Sequence, residues 1–160
     1  MKALEEVETE DLANDAFNSH LKPGYGYMEQ VEIDMFPRCD DNTFPENTSL
    51  KLWYNCLAEA TNRALRPIAY NHETGALLEH TGFVDIREEI IRVPLNPWPT
   101  DPWQRDVGRW YNLGLTEGLE ALTLGPFMRI LGWTKDEVDI LIERVKREVC
   151  TRRMHVYCNM

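Results

Sequence analysis

The sequence has few cysteines, a shortage of basic side chains and no long apolar run, and each shortage excludes a class of protein. Four cysteines without any Cys-x-x-Cys spacing predict free thiols, with no zinc site and no redox pair. The chain has only 17 Lys and Arg but 27 Asp and Glu, and the resulting net charge of −10 argues against a nucleic-acid partner. No segment approaches the roughly 20 apolar residues of a membrane span, and the acidic N-terminus is unlike a secretory signal. We therefore expect a cytoplasmic protein with no membrane contact.

The negative charge is concentrated in the first quarter of the chain. Residues 1–48 hold 12 acidic and 3 basic side chains, whereas residues 49–160 hold 15 and 14. With 43% apolar residues and sixteen aromatic rings (5 Trp, 6 Tyr, 5 Phe), a chain of 160 residues can bury a hydrophobic core. We expect a single domain over residues 1–160.

Apolar spacing and capping signals predict the helices. Thr134 and Glu137 form a capping box ahead of a clear apolar stripe. Gly114 and Gly118 share one helix face, where we expect a neighbouring backbone to approach closely. The predicted helices cover 3–20, Leu50 to the residue before Pro67, His72–His80, Trp103 to Leu124, and a last helix from Thr134 through Lys146 and Arg147.

Alternation of apolar and polar residues predicts three strands: Tyr27–Phe36, Phe83–Val93 with a bulge at Glu88-Glu89, and Arg153–Cys158. Between the second strand and the long helix, four prolines in Pro94–Pro102 predict a rigid connector. The fold class is α+β, with about three strands in a small mixed sheet that packs against five or six helices.

The common signatures of cofactor, nucleotide, acyl and zinc chemistry are missing from the sequence. The only glycine cluster, Lys22-Pro23-Gly24-Tyr25-Gly26, precedes a strand, which is the reverse of a phosphate-binding turn. We therefore expect neither a cofactor nor a metal.

Three residues are candidates for catalysis, and two of them have a structural alternative. His72 sits at a predicted helix start, where it is either a proton donor or acceptor or simply an exposed histidine. Glu117 follows Trp110 by seven residues on the same helix face, so it is either an acid among aromatics or a solvated carboxylate. Arg109 is the third candidate, as a polar contact to a substrate.

The aromatic side chains are numerous for a domain of this size. They either fill the core or line a pocket for an apolar ligand, and both interpretations are open. As the walls of such a pocket we predict Trp53, Tyr54, Trp98, Trp110, Tyr111 and Met128.

Six motifs span nearly the whole chain: residues 20–29 (HLKPGYGYME), Thr81–Ile86, Val93–Pro99, Gly108–Trp110, Glu117–Glu120 and Leu131–Thr134. The proline-tryptophan loop with the following Gly-Arg-Trp and Leu-Gly-Trp is the most specific part. Taken together, these motifs resemble one family, the fungal LaeA-like class I S-adenosylmethionine-dependent methyltransferases of secondary metabolism.

The resemblance implies the C-terminal half of a class I, Rossmann-like fold. Family members hold their methyl donor on a glycine-rich turn after the first strand, and this sequence has no residues that match it. The resemblance makes Tyr27–Phe36 the family's fifth strand, which in the family lies between the fourth and the seventh. Without the fourth strand, one edge of Tyr27–Phe36 would be unpaired. We expect a second copy of the chain to cover that edge in a homodimer.

Three functions follow from these expectations. The leading hypothesis is a methyltransferase-derived protein that does not methylate and acts as a cofactor-free cyclase or pericyclase (a Diels-Alderase) on a small apolar metabolite, because orientation alone accelerates such reactions. The second is a non-catalytic partner that regulates a full-length methyltransferase. The third is a fragment of a methyltransferase.

Overall fold

The computed structural model of the protein describes residues 21, 22 and 24–160, which fall into two compact units. The first unit contains the described residues up to Val31 together with Asn71–Glu89, and the second contains Glu32–Tyr70 and Ile90–Met160. The predicted helix at residues 3–20 lies outside the described residues, and a single domain over residues 1–160 stays a prediction.

The described residues form three strands, four α-helices and one π-helical segment. None of these helices is long and apolar enough to cross a membrane. In chain order the elements are β1 (Asp34–Arg38), α1 (Ser49–Arg63), α2 (Thr74–His80), β2 (Arg92–Pro94), α3 (Pro102–Leu124), the π-helical segment Gly125–Leu131, α4 (Lys135–Val149) and β3 (Tyr157–Asn159).

The first unit contains a tight turn and helix α2. In the turn, the Gly26 amide donates a 2.7 Å hydrogen bond to the Lys22 carbonyl, and a Cβ at Gly26 would lie 2.9 Å from the Lys22 nitrogen. Helix α2 stops where the sequence predicts, because Gly82 takes a left-handed φ of 95° and the Phe83 amide bonds back to Leu78.

The second unit is built on the three-stranded sheet, in the order β1-β3-β2. Both pairings are antiparallel, so the predicted mixed sheet is wrong. The strands are shorter than predicted and shifted toward the C-terminus, so that each shares only two or three residues with its predicted range. Glu88 and Glu89 lie before β2, so the predicted bulge is wrong. The alternation within Tyr27–Phe36 predicts Val31 on the buried face and Asp34 on the polar face, but Val31 is 66% exposed and Asp34 is buried and paired with Arg38.

Helices α1, α3 and α4 enclose the core of this unit. The capping box of Thr134 and Glu137 is confirmed at the start of α4. The predicted stripe on α4 is fully buried and packs against α1 and α3. It consists of Val138, Leu141, Ile142, Val145 and Val149.

A close backbone approach occurs on α3, but not at the predicted glycines. A Cβ at Gly114 or Gly118 would meet no atom within 4 Å, whereas one at Gly108 would lie 2.4 Å from the Asn96 carbonyl oxygen. The predicted glycines therefore lie about two and three helical turns beyond the position of the close approach. The proline-rich connector that carries Asn96 crosses α3 near its start, which sequence spacing within the helix does not show.

Candidate ligand-binding cleft

The register of the sheet brings three chain segments to one edge. Arg38, the last residue of β1, and Pro94, the last residue of β2, both pair with Tyr157, the first residue of β3. Residues that follow β1 and β2 and residues that precede β3 therefore meet at the carboxyl ends of β1 and β2. This placement creates a cleft whose side chains come from distant parts of the sequence.

We call this site the Trp98 cleft. It has a volume of about 290 Å³ and combines charged groups with aromatic and proline walls. Its lining residues are Asp40, Asp41, Arg92, Pro94, Trp98, Pro99, Gln104, His155 and Tyr157.

The first polar pair in the cleft is Asp41 with His155. Nδ1 of His155 lies 2.5 Å from Oδ2 of Asp41, while Oδ1 of Asp41 accepts bonds from the Thr43 hydroxyl at 2.7 Å and the Cys39 thiol at 3.1 Å. The Thr43 hydroxyl, then His155 and Cys39, hold the pKa of Asp41 well below its usual range. Since an ionised carboxylate only accepts, Nδ1 carries the proton and Nε2 is the ring nitrogen left for a ligand.

Trp98 forms an aromatic wall against this pair. Its ring stacks on His155 with centroids 4.7 Å apart and an interplanar angle of 26°. Its indole nitrogen donates a 3.1 Å bond to the Val156 carbonyl, which fixes the ring. The rigid connector predicted for Pro94–Pro102 thus positions one side of the cleft.

The second polar group is Asp40 with Arg92 and Tyr157. Asp40 accepts a 2.8 Å bond from the Tyr157 hydroxyl and a 2.6 Å bond from the Arg92 guanidinium. The guanidinium carbon of Arg92 lies 4.7 Å from the centre of the Tyr157 ring, a cation–π contact. Burial, and then the bond to Asp40, raises the pKa of Tyr157, so the phenol stays protonated and donates.

A second concave surface lies beside α3, with a volume of about 530 Å³. Trp103 and Trp110 are 66% and 74% exposed there, and Arg109 pairs with Asp106 at 2.5 Å. Burial raises the pKa of Tyr111 on this surface. The lining residues are Ile33, Val93, Trp103, Asp106, Val107, Trp110, Tyr111 and Met160.

The six residues predicted to wall one pocket do not lie together. Trp53 and Tyr54 are buried in the core, where helix packing covers them. Trp98 lines the cleft, and Trp110 and Tyr111 line the second surface. Met128, on the π-helical segment, is 39% exposed. The substrate-binding role of these residues stays a prediction.

The predicted catalytic residues are likewise not gathered in the Trp98 cleft. His72 belongs to the first unit and is exposed. Arg109 and Glu117 are exposed on α3 of the second unit. Their catalytic roles stay predictions.

Sequence reasoning missed every polar residue of the cleft: Asp40, Asp41, Arg92, Gln104, His155 and Tyr157. One signal was present, because His155 and Tyr157 alternate with Met154, Val156 and Cys158 and so share a face opposite the core. The partners of that face could not be found without the strand order.

The methyl donor that the resemblance implies needs a glycine-rich turn between a strand and a helix. The glycines at 24 and 26 do not fit this role, because Gly26 packs on the backbone of its own turn at Lys22. This turn therefore offers no cradle for the donor. No group of three metal-ligating side chains is found in the part of the chain that the structure describes.

Comparison with known proteins identifies relatives among fungal regulators. The chain is 57% identical over 143 residues to the "Secondary metabolism regulator LAE1" of Cochliobolus heterostrophus, covering 89% of this chain and 47% of the relative. It is 40% identical over 144 residues to the protein of the same name in Gibberella fujikuroi, with coverages of 88% and 45%. It is 43% identical over 140 residues to the "Protein-methionine methyltransferase laeA" of Emericella nidulans, with coverages of 87% and 37%.

The resemblance to LaeA-like methyltransferases is confirmed by these relatives. The homologues of the chain are LaeA regulators of fungal secondary metabolism, one of them named a protein-methionine methyltransferase. The chain spans less than half of the length of these relatives. No family model and no solved structure matches the chain.

Proposed function

We propose that the chain is the acceptor-binding part of a LaeA-like protein methyltransferase that regulates fungal secondary metabolism. In this proposal the Trp98 cleft holds a segment of the protein acceptor. The observation that carries the proposal is the position of the cleft at the carboxyl ends of β1 and β2, which run in the same direction because both are antiparallel to β3. Open α/β sheets, the kind that the resemblance implies, bind their ligands beyond the carboxyl ends of their parallel strands.

The strand order supports the same proposal. In the class I fold the fifth strand has the seventh on one side, and here the last strand, β3, flanks β1. The outer edge of β1 has no partner strand within the described residues. In this proposal the donor site lies outside the described residues.

The chemistry of the cleft suits a methionine side chain as the acceptor. A thioether is neutral and polarizable, and it packs favourably against aromatic rings such as that of Trp98. Pro94 and Pro99 add apolar wall, while His155 and Gln104 offer polar contacts to the backbone of a bound segment. The methionine acceptor is taken from the name of the Emericella nidulans relative.

The cyclase hypothesis is not part of this proposal. The relatives described above carry regulator and methyltransferase names, and the predicted aromatic wall is divided among the core, the cleft and the second surface. The small apolar metabolite stays a prediction. So does the alternative of a regulatory partner for a full-length methyltransferase, whose docking surface would be the acidic residues 1–48 and the open strand edge; residues 1–20 of that segment lie outside the described residues.

Binding of a short peptide to the full chain tests the proposal. We would titrate ¹⁵N-labelled protein with a capped Gly-Met-Gly peptide and follow amide shifts at His155, Tyr157 and Gln104. We expect saturable shifts that Trp98→Ala weakens at least about fivefold, the size of an aromatic contact. Trp110→Ala, on the second surface, is the matched control and should leave binding unchanged.

Trp98 also stabilises the connector, so Trp98→Ala can fail for structural reasons. Gln104→Ala, which removes a lining amide from a half-buried helix position, provides a second variant. Absence of saturable shifts in the folded wild-type chain, or equal losses in Gln104→Ala and Trp110→Ala, would contradict the proposal.

A further inference from the structure

We infer that the Trp98 cleft binds an organic cation, a sulfonium or quaternary ammonium group, in the place over Tyr157 that the Arg92 guanidinium takes. This inference rests on the proposed function, since it names the class of ligand for the same cleft. Both kinds of cation arise when protein side chains are methylated, a sulfonium from methionine and a quaternary ammonium from lysine.

The structure contains an internal example of the interaction. The Arg92 guanidinium lies 4.7 Å from the centre of the Tyr157 ring and donates a 2.6 Å bond to Asp40. Aromatic rings attract quaternary ammonium cations through their faces. Here the Asp40 carboxylate beside the Tyr157 ring adds a negative charge that attracts a cation further. Arg92 therefore marks the position where a ligand cation is stabilised.

The Arg92 side chain can be displaced at small cost. The side chains of Arg92 and Asp40 are 63% and 60% exposed, and exposed ion pairs contribute little to stability. Tyr157, by contrast, is buried and held by its own bond to Asp40. Displacement of Arg92 would leave the aromatic face and the carboxylate in place.

The charge balance of the cleft favours a cation over an anion. With Arg92 displaced, Asp40 and Asp41 leave two carboxylates at the cleft, and the hydrogen bonds around Asp41 keep it ionised. Trp98, Pro94 and Pro99 provide apolar contact for methyl groups, which a strongly hydrated ammonium such as that of unmodified lysine uses poorly.

Three capped Gly-X-Gly peptides test the inference on the full chain, with X as S-methylmethionine, trimethyllysine or methionine. Affinities would be measured by amide shifts and by calorimetry at fixed ionic strength. We expect each cationic peptide to bind about two- to fivefold more tightly than the methionine peptide, the size of an exposed cation–π contact. The order of the two cationic peptides then distinguishes a methylated methionine from a methylated lysine as the source.

Arg92→Gln provides the sharper test. Removal of the competing guanidinium should raise the affinity for the cationic peptides about two- to fivefold, while Asp40→Asn should lower it by a similar factor. Arg63→Gln is the matched control, because Arg63 is a similarly exposed arginine that pairs with Glu59 on α1, outside the cleft. Thermal melts would verify that each variant is folded.

The outcomes separate this inference from the proposed function. Equal binding of all three peptides at the cleft would overturn the cation preference and leave the acceptor site standing. Weaker binding of the cations to Arg92→Gln would also overturn it, because Arg92 would then contact the ligand and not compete with it. If no peptide binds, both the inference and the proposed function fail.

Discussion

The indole nitrogen of Trp53 on α1 donates a 2.8 Å hydrogen bond to the hydroxyl oxygen of Thr123 on α3. Both side chains are buried, and the Thr123 hydroxyl in turn donates to the Leu119 carbonyl at 2.5 Å. The bond satisfies the one polar atom of a large core ring. A residue predicted to line a substrate pocket thus joins two helices of the second unit.

Thr123→Val removes the acceptor for Trp53 and keeps the shape of the side chain. Because the indole N–H would remain buried without its partner, we expect a loss of about 1–3 kcal/mol in the free energy of unfolding. Urea denaturation measures this loss. Thr116→Val is the control, since Thr116 on the same helix bonds only to carbonyls of the preceding turn, and equal losses in the two variants would contradict the assignment.

Glu148 caps the N-terminus of α1 from the end of α4. Its carboxylate accepts bonds from the amides of Ser49 at 2.9 Å and Leu50 at 2.8 Å. We expect Glu148→Ala to lower the free energy of unfolding by about 1–2 kcal/mol, as the loss of a helix cap does. Glu143→Ala, an exposed position on α4, should have little effect in the same denaturation experiment. If Glu148→Ala left the free energy of unfolding nearly unchanged, water would be replacing the carboxylate as the acceptor.

Gly108→Ala tests the close approach of the connector to α3. A Cβ there would lie 2.4 Å from the Asn96 carbonyl oxygen, so backbone must shift, and we expect a loss of about 2 kcal/mol or more. Gly118→Ala has open space for its Cβ and should be neutral or stabilising by up to about 1 kcal/mol. Thermal melts of the two variants measure these effects. Similar melting temperatures for both variants would refute the close approach at Gly108.

Local patterns predicted the helices of this protein well. The capping box at Thr134 and the stripe that follows it depend on spacings of three and four residues, which are visible in the sequence. The stop of α2 at Gly82 depends on a single residue type. These elements needed no knowledge of their tertiary partners.

The cleft could not be predicted in the same way. His155 meets Asp41 across 114 residues, and Tyr157 meets Asp40 across 117. Such pairs depend on the strand order and register, which periodicity does not contain. For the same reason the aromatic residues were recognised as a group, while the division of Trp53 and Trp98 between core and cleft was not.

The stability of the second unit should depend on acid through Asp41. Hydrogen bonds from Thr43, His155 and Cys39 lower the pKa of Asp41 in the folded protein below the value of about 4 in the unfolded chain. The stabilisation is therefore complete above pH 4 and is lost as the pH falls below 4 toward the folded pKa. We expect the difference in unfolding free energy between wild type and Asp41→Asn to shrink from pH 5 to pH 2, measured by urea denaturation at each pH. A difference in unfolding free energy that stays constant from pH 5 to pH 2 would show that Asp41 is not the source of the acid dependence.

The structure places β1 at Asp34–Arg38, so the interface of the homodimer predicted through residues 27–36 would be formed by β1 and the residues before it. Strand β1 pairs with β3 on one side only, within the described residues, and Ile33 just before it is 41% exposed. Backbone groups along such an edge favour pairing with a second copy, so we expect a dimer at micromolar concentration by sedimentation velocity. Ile33→Lys should shift the equilibrium toward the monomer, because a charge at an edge disfavours pairing. Ile140→Lys, at an exposed position on α4, is the control, and a wild-type monomer would refute the dimer.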